Sequence, residues 1–136
     1  MQLESELGGA TNNPSSADIE RVVQSLDSEQ NTFAILTRQP LTYMQCRVEG
    51  DQFELEYQDG DTDRHYQSTR LVSRDEVVQA MSLYAKGDDA WQTLVEWQHL
   101  DLSSEPTHGD AAQSSGGCAG VVLLAVMIGI LSLAVI

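Results

Sequence analysis

Apolar and polar residues alternate most strictly over residues 44–57, and the alternation turns over at Gly50-Asp51. With those two residues as a hairpin loop, Val48 faces Phe53, Cys46 faces Leu55 and Met44 faces Tyr57 on one side. Arg47 then faces Glu54, and Gln45 faces Glu56, on the other. A slip of one residue would turn every apolar side chain outward, so the pattern specifies the register strongly. Residues 60–63 read as the next turn, leading to a strand at 64–69 that sets Tyr66 against Tyr57. A further strand at 32–38 precedes the hairpin, with Pro40 breaking the chain between them.

Two stretches carry helical spacing instead. Ser15 and Asp18 form a capping box ahead of Ile19, Val22, Val23 and Leu26, which share one helix face. Ser73 and Glu76 form a second box, and Val77, Val78, Met81 and Tyr84 follow as an inward stripe. Lys86 and then Gly87 supply the cation and the left-handed residue of a helix end. Beyond it Thr93, Val95 and Trp97 alternate with polar neighbours and predict a fifth strand, although Trp91, Leu94, Val95 and Gln98 also fit a helix. Residues 1–14, polar and rich in Gly and Asn, read as a disordered arm. Residues 15–102 therefore predict an α+β domain ordered α-β-β-β-β-α-β, a small antiparallel sheet with two helices on one face.

The pattern changes again at the C-terminal end. Residues 118–136 carry no charge, and from Val121 onward only Ser132 and Gly129 interrupt a run of Val, Leu, Ile, Ala and Met. As a helix this stretch would be about 28 Å long, close to the ~30 Å hydrocarbon core of a bilayer. It predicts a single transmembrane helix anchoring the domain in the lipid bilayer, joined by a polar linker at 103–117. Residues 1–6 lack the basic and apolar regions of a secretory signal, so the expected placement of the domain is cytoplasmic.

Charge narrows the partners. Asp and Glu number 21 against 7 Lys and Arg, a balance of −14 that falls wholly upstream of the apolar run. Nucleic acid and anionic lipid surfaces would be repelled, whereas a basic protein partner would be attracted. Two cysteines cannot make a disulfide framework; Cys46 falls in the hairpin and Cys118 opens the apolar run.

Tyr43-Met44-Gln45, Leu55-Glu56-Tyr57-Gln58-Asp59-Gly60, Arg64-His65-Tyr66, Glu76-Val77-Val78, Tyr84, Gly87-Asp88, Trp91 and Trp97 form a recognisable set. The pattern resembles small single-domain bacterial α+β proteins and, more loosely, the acidic immunity proteins that neutralise toxins. The likeness covers residues 19–100, brings no catalytic motif, and implies a fold and a protein-binding role.

Candidate chemistry is sparse. Asp59-Gly60-Asp61-Thr62-Asp63 suggests calcium, but the sixth and twelfth loop positions would be Arg64 and Arg70, where an EF-hand needs Gly and Glu. A hairpin turn is the plainer reading. Cys46 with His65 could be a thiol and its base, yet the register turns Cys46 inward and leaves His65 on the outer face. His99 and His108 show no metal-ligand spacing, and no motif for a cofactor occurs. The outward sheet residues Gln45, Arg47, Glu54, Glu56 and Gln67 form the candidate partner surface. In the apolar run Ala125, Gly129 and Ser132 give a small-residue face through which two spans could pair into a homo-oligomer. The sequence thus points to a membrane-anchored, non-enzymatic interaction module. A self-associating structural span and an enzyme with a site assembled in the fold are the alternatives.

Overall fold

The computed structural model describes residues 1–102. In chain order these form β1 (Gln2–Ser5), β2 (Gly9–Asn12), α1 (Ser16–Gln24), β3 (Phe33–Gln39), β4 (Thr42–Glu49) and β5 (Gln52–Asp59). A 3-10 turn (Thr62–Arg64), β6 (His65–Ser68), α2 (Arg74–Lys86), the short helix α3 (Trp91–Leu94) and β7 (Trp97–Leu100) complete them. The strands make one antiparallel sheet in the order β2-β1-β3-β4-β5-β6-β7, so this is a small α+β fold of seven strands and three helices.

The β4–β5 hairpin has the register its side-chain alternation predicts: Val48 opposite Phe53, Cys46 opposite Leu55, Met44 opposite Tyr57, Arg47 opposite Glu54 and Gln45 opposite Glu56. Its loop is Gly50-Asp51, with φ of 63° at Gly50, a value natural for glycine in a tight hairpin turn. Tyr57 pairs with Tyr66 across β5–β6, and the two rings stack with centroids 4.8 Å apart.

Both helices start on their expected capping boxes. Ser15 accepts from the Asp18 amide at 3.1 Å, while the Ser15 amide donates to the Asp18 carboxylate at 2.9 Å. Ser73 and Glu76 repeat the exchange at 3.2 and 2.7 Å. Gly87 closes α2 in the left-handed conformation, φ 74°, where a side chain would be strained. Arg74, at the start of α2, donates to the carbonyls of Val23 and Leu26 at the end of α1, satisfying groups that a helix leaves without partners. Ile19 and Val23 of α1 and Val77, Ala80, Met81 and Tyr84 of α2 share one core with the sheet residues Leu36, Met44, Cys46, Phe53 and Leu55.

Two expectations are corrected. Residues 1–14 are not a disordered arm: they fold back as the β1–β2 hairpin, which extends the sheet beside β3. Leu3, opposite Leu36, is 1% exposed, so one apolar residue in a polar stretch secures the strand. The Glu6 carboxylate accepts from the amide and hydroxyl of Thr32 at 2.7 and 2.8 Å, and buried Asn31 accepts from the Leu7 amide at 3.1 Å. These long-range bonds leave no periodic trace in the sequence. The second correction concerns the last strand. The segment read as a strand from Thr93 begins as α3, and β7 starts only at Trp97, so the alternative helical spacing of Trp91 and Leu94 prevails there.

The predicted linker at 103–117 and transmembrane helix at 118–136 lie outside the described residues, as do Cys118, His108 and the Ala125, Gly129 and Ser132 face. No helix among the described residues is long and apolar enough to cross a membrane.

The capping box of α2 gives a measurable stability term. Ser73→Ala should destabilise the fold by about 1 kcal/mol and lower Tm by about 4–8 °C in a thermal melt. Arg70 beside Glu76, together with the Ser73 amide, holds the Glu76 carboxyl down to about 2 from an ordinary 4.5. A depressed carboxyl stabilises the folded state above its unfolded value and loses that effect as pH falls through the folded value. The Tm gap between wild type and Glu76→Gln should therefore be full above pH 4.5 and close progressively toward pH 2. A gap independent of pH in a melt series would contradict this assignment.

Candidate functional site

The sheet presents two unlike faces because the β4–β5 register sorts its side chains. On the face away from α1 and α2, polar residues of three strands meet. Gln45 Nε2 donates to Glu56 Oε2 at 2.7 Å, and His65 Nε2 lies 2.8 Å from the same oxygen. His65 Nδ1 lies 3.2 Å from Gln58 Oε1, which also accepts from the Tyr43 hydroxyl at 3.2 Å. Gln58 Nε2 donates to the Leu41 carbonyl at 3.3 Å, which fixes the orientation of the amide. Both imidazole nitrogens thus face side-chain oxygens of β5. Burial, and then the Glu56 charge, push the Tyr43 phenol well above its usual range, so it serves as a donor.

This network corrects the candidate partner surface. Gln45 and Glu56 are buried, at 1% and 3% exposure, and are committed to each other and to His65. His65, expected on an open face, is 2% exposed. Polar residues on the outer face of a strand predict solvation; here hydrogen bonding between strands satisfies them instead. Arg47, Glu54 and Gln67 do lie on the same face and are half-buried. Arg47 and Glu54 sit opposite in register, yet no ion pair joins them among the described residues. Burial, then Glu56, raise the Glu54 carboxyl, with Arg47 opposing the shift. One Glu54 oxygen, Oε2, is buried without a hydrogen-bond partner.

The thiol–imidazole idea fails on geometry. Cys46 is fully buried in the core shared with the helices, opposite Leu55, while His65 belongs to the other face. Burial pushes the Cys46 thiol up to about 12, which leaves it protonated and inert. The acidic run at 59–63 is a turn: Asp61 Oδ1 accepts from the Asp63 amide at 3.1 Å, and the Asp59 carboxylate is bound by Arg64. His99 Nε2 contacts the Asp63 carbonyl at 2.5 Å. Among the described residues no group of three or more His, Cys, Asp or Glu could hold a metal ion.

A second site was not foreseen in the sequence. Where the end of α2 and α3 meet the ends of β3 and β5 and the start of β6, there is a cavity of about 380 Å³. Tyr57, Tyr66, Tyr84 and Trp91 supply its aromatic wall, Arg38 and Arg64 its cations, and Asp59 and Asp89 its carboxylates. Tyr57 meets Trp91 edge-on at 4.7 Å and Tyr84 meets Trp91 at 5.5 Å. The Arg38 guanidinium lies 3.8 Å from the centre of the Tyr84 ring and donates to the Tyr84 carbonyl. Burial is the main cause that raises the Tyr57 and Tyr84 phenols, Tyr84 to about 12, so neither acts as a base. The aromatic residues were legible as core; their convergence with Arg38 depends on α3, whose short helical turn the strand reading displaced. Compared with protein-family models, curated proteins and solved structures, the chain matches none.

Two outcomes test these placements. Glu56→Ala would leave the buried His65 and Gln45 without their shared acceptor, and should cost about 3–5 kcal/mol by chemical denaturation. Glu20→Ala, at an exposed helix position, should stay within about 0.5 kcal/mol. In a Cys118→Ser background, Cys46 should resist a thiol reagent at pH 8 in the native protein and react fully in guanidinium. Rapid native labelling would contradict its place in the core.

Proposed function

We propose that this chain is a membrane-tethered, non-enzymatic interaction module: an acidic α+β domain held at a bilayer by residues 118–136. The observation that carries this reading is the uncharged run of 118–136 in a chain whose upstream charges balance to −14. In water such a run would expose apolar surface on every side, whereas in lipid a helix satisfies its own backbone groups. The titratable groups that converge in the domain favour binding over proton transfer. Cys46 is inert, the Glu56–His65 pair is committed to its network, and the cavity phenols are held protonated.

The partner surface we propose is the outer sheet face at Arg47, Glu54 and Gln67, and its occupant is a basic protein. The half-buried Glu54 carboxyl supports this choice, because it lies beside the negative Glu56 and gains from the charge of an incoming Lys or Arg. Gln45 and Glu56 support the surface from below without touching the partner.

Membrane fractionation tests the tether. The full chain should remain in the pellet through high-salt and alkaline washes and leave it only with detergent, while a chain ending at Gly117 should be recovered in the supernatant. A full chain that washes off would overturn the reading. A Glu54→Lys variant that captured a basic partner as well as wild type would remove the proposed surface and leave the tether standing.

A further inference from the structure

The outer face of the sheet is buried, yet none of the described helices lies on it. Phe33 and Ile35 of β3, Tyr43 and Gln45 of β4, Glu56 and Gln58 of β5 and His65 of β6 share that face by register, and each is 8% exposed or less. The three helices bury their residues on the opposite side, in a core that Phe33, Ile35 and Tyr43 do not join. Side chains stand perpendicular to a sheet, so neighbours within the sheet cannot close over their tips. A face left to water is polar and wet across its width. This one carries Phe33 and Ile35, and its polar groups bond to one another: Gln45 and His65 to Glu56, His65 and Tyr43 to Gln58. Burial under an apolar cover demands such lateral satisfaction, because the cover offers no hydrogen bonds.

We infer that the cover is the chain's own uncharged run, 118–136, seated on this face in the absence of a bilayer. The run brings no charge that would be left unpaired above Glu56 and His65. As a helix it would be about 28 Å long, and seven strands about 4.8 Å apart span about 29 Å. The described residues stop just beyond β7, the edge strand beside β6, and 103–117 can reach up to about 50 Å when extended. On entering a bilayer the run leaves this seat and bares the strip beside Arg47, Glu54 and Gln67. Lipid and a basic partner then favour the same open state. This switching rests on the tether proposed above; the seat itself does not.

Thiol labelling of the full chain tests the seat. In an Ile35→Cys, Cys118→Ser chain, the thiol at position 35 lies on the covered face, and Cys46 lies on the helix side of the neighbouring strand. Without lipid both should resist a maleimide, and the chain should sediment as a monomer. Val126→Asp with Ile128→Asp puts charges on opposite sides of the run. This double substitution should speed labelling at position 35 at least 10-fold and leave Cys46 protected. Phosphatidylcholine vesicles should do the same to the chain without it. Rapid labelling at position 35 before lipid is added would overturn the seat and leave the tether standing. Labelling unchanged by the double substitution, labelling of Cys46 along with position 35, or an oligomer whose second copy supplies the cover would equally overturn the seat. If the double substitution exposes position 35 and vesicles do not, the seat holds and the tether fails.

Discussion

The β4–β5 ladder decides what every other element can do. With Cys46 opposite Leu55 and Gln45 opposite Glu56, one face of the sheet becomes apolar and the other becomes a polar strip. The helices then have one surface on which to bury Ile19, Val23, Val77 and Met81, and it is the apolar one. Pairing by neighbours extends the same parity outward, to Ala34 and Leu36 on β3, to Leu3 on β1 and to Tyr66 on β6. A shift by one residue would bury the Glu54 and Glu56 charges beneath α2 and drive Phe53 and Leu55 away from it. The register is therefore fixed by both faces at once.

The polar face is satisfied by cooperation between strands. Glu56 accepts from Gln45 on β4 and pairs with His65 on β6, and Gln58 joins Tyr43, His65 and the Leu41 carbonyl. Each bond is formed across the sheet, so the network exists only when three strands hold their register together. Leu41 has a left-handed backbone, φ 64°, and its carbonyl is also held by the Gly60 amide at 2.9 Å. A branched-chain aliphatic residue at positive φ is strained, and these two donors are what keep it there.

What the sequence disclosed and what it hid follow the range of the interactions concerned. The hairpin register, both capping boxes and the Gly87 helix end are written within a dozen residues of themselves, and all are legible. The β1–β2 hairpin depends on Leu3 meeting Leu36 and on Glu6 meeting Thr32, contacts made across more than 25 residues, and polar composition concealed it. The polarity of His65 and Glu56 predicts exposure, but their partners lie on different strands and bury them. In the segment from Trp91 to Trp97 two periodicities coexist, and only the packing of Trp91 against Tyr84 and Tyr57 chooses the helical one. The cavity inherits that ambiguity, since its wall is built by α3.

The placement of the arginines sets the cavity apart. In a chain with a balance of −14, carboxylates are available almost everywhere. Arg21, Arg64 and Arg70 each take one, and Arg74 instead closes the end of α1 while lying over the Phe53 ring. These roles explain themselves as ion pairs or helix caps. Arg38 also meets a helix end, donating to the Tyr84 carbonyl in the last turn of α2 with its charge on the Tyr84 ring, whereas Arg47 has no ion pair among the described residues. A guanidinium held against an aromatic face keeps most of its donors free and pointed in a plane.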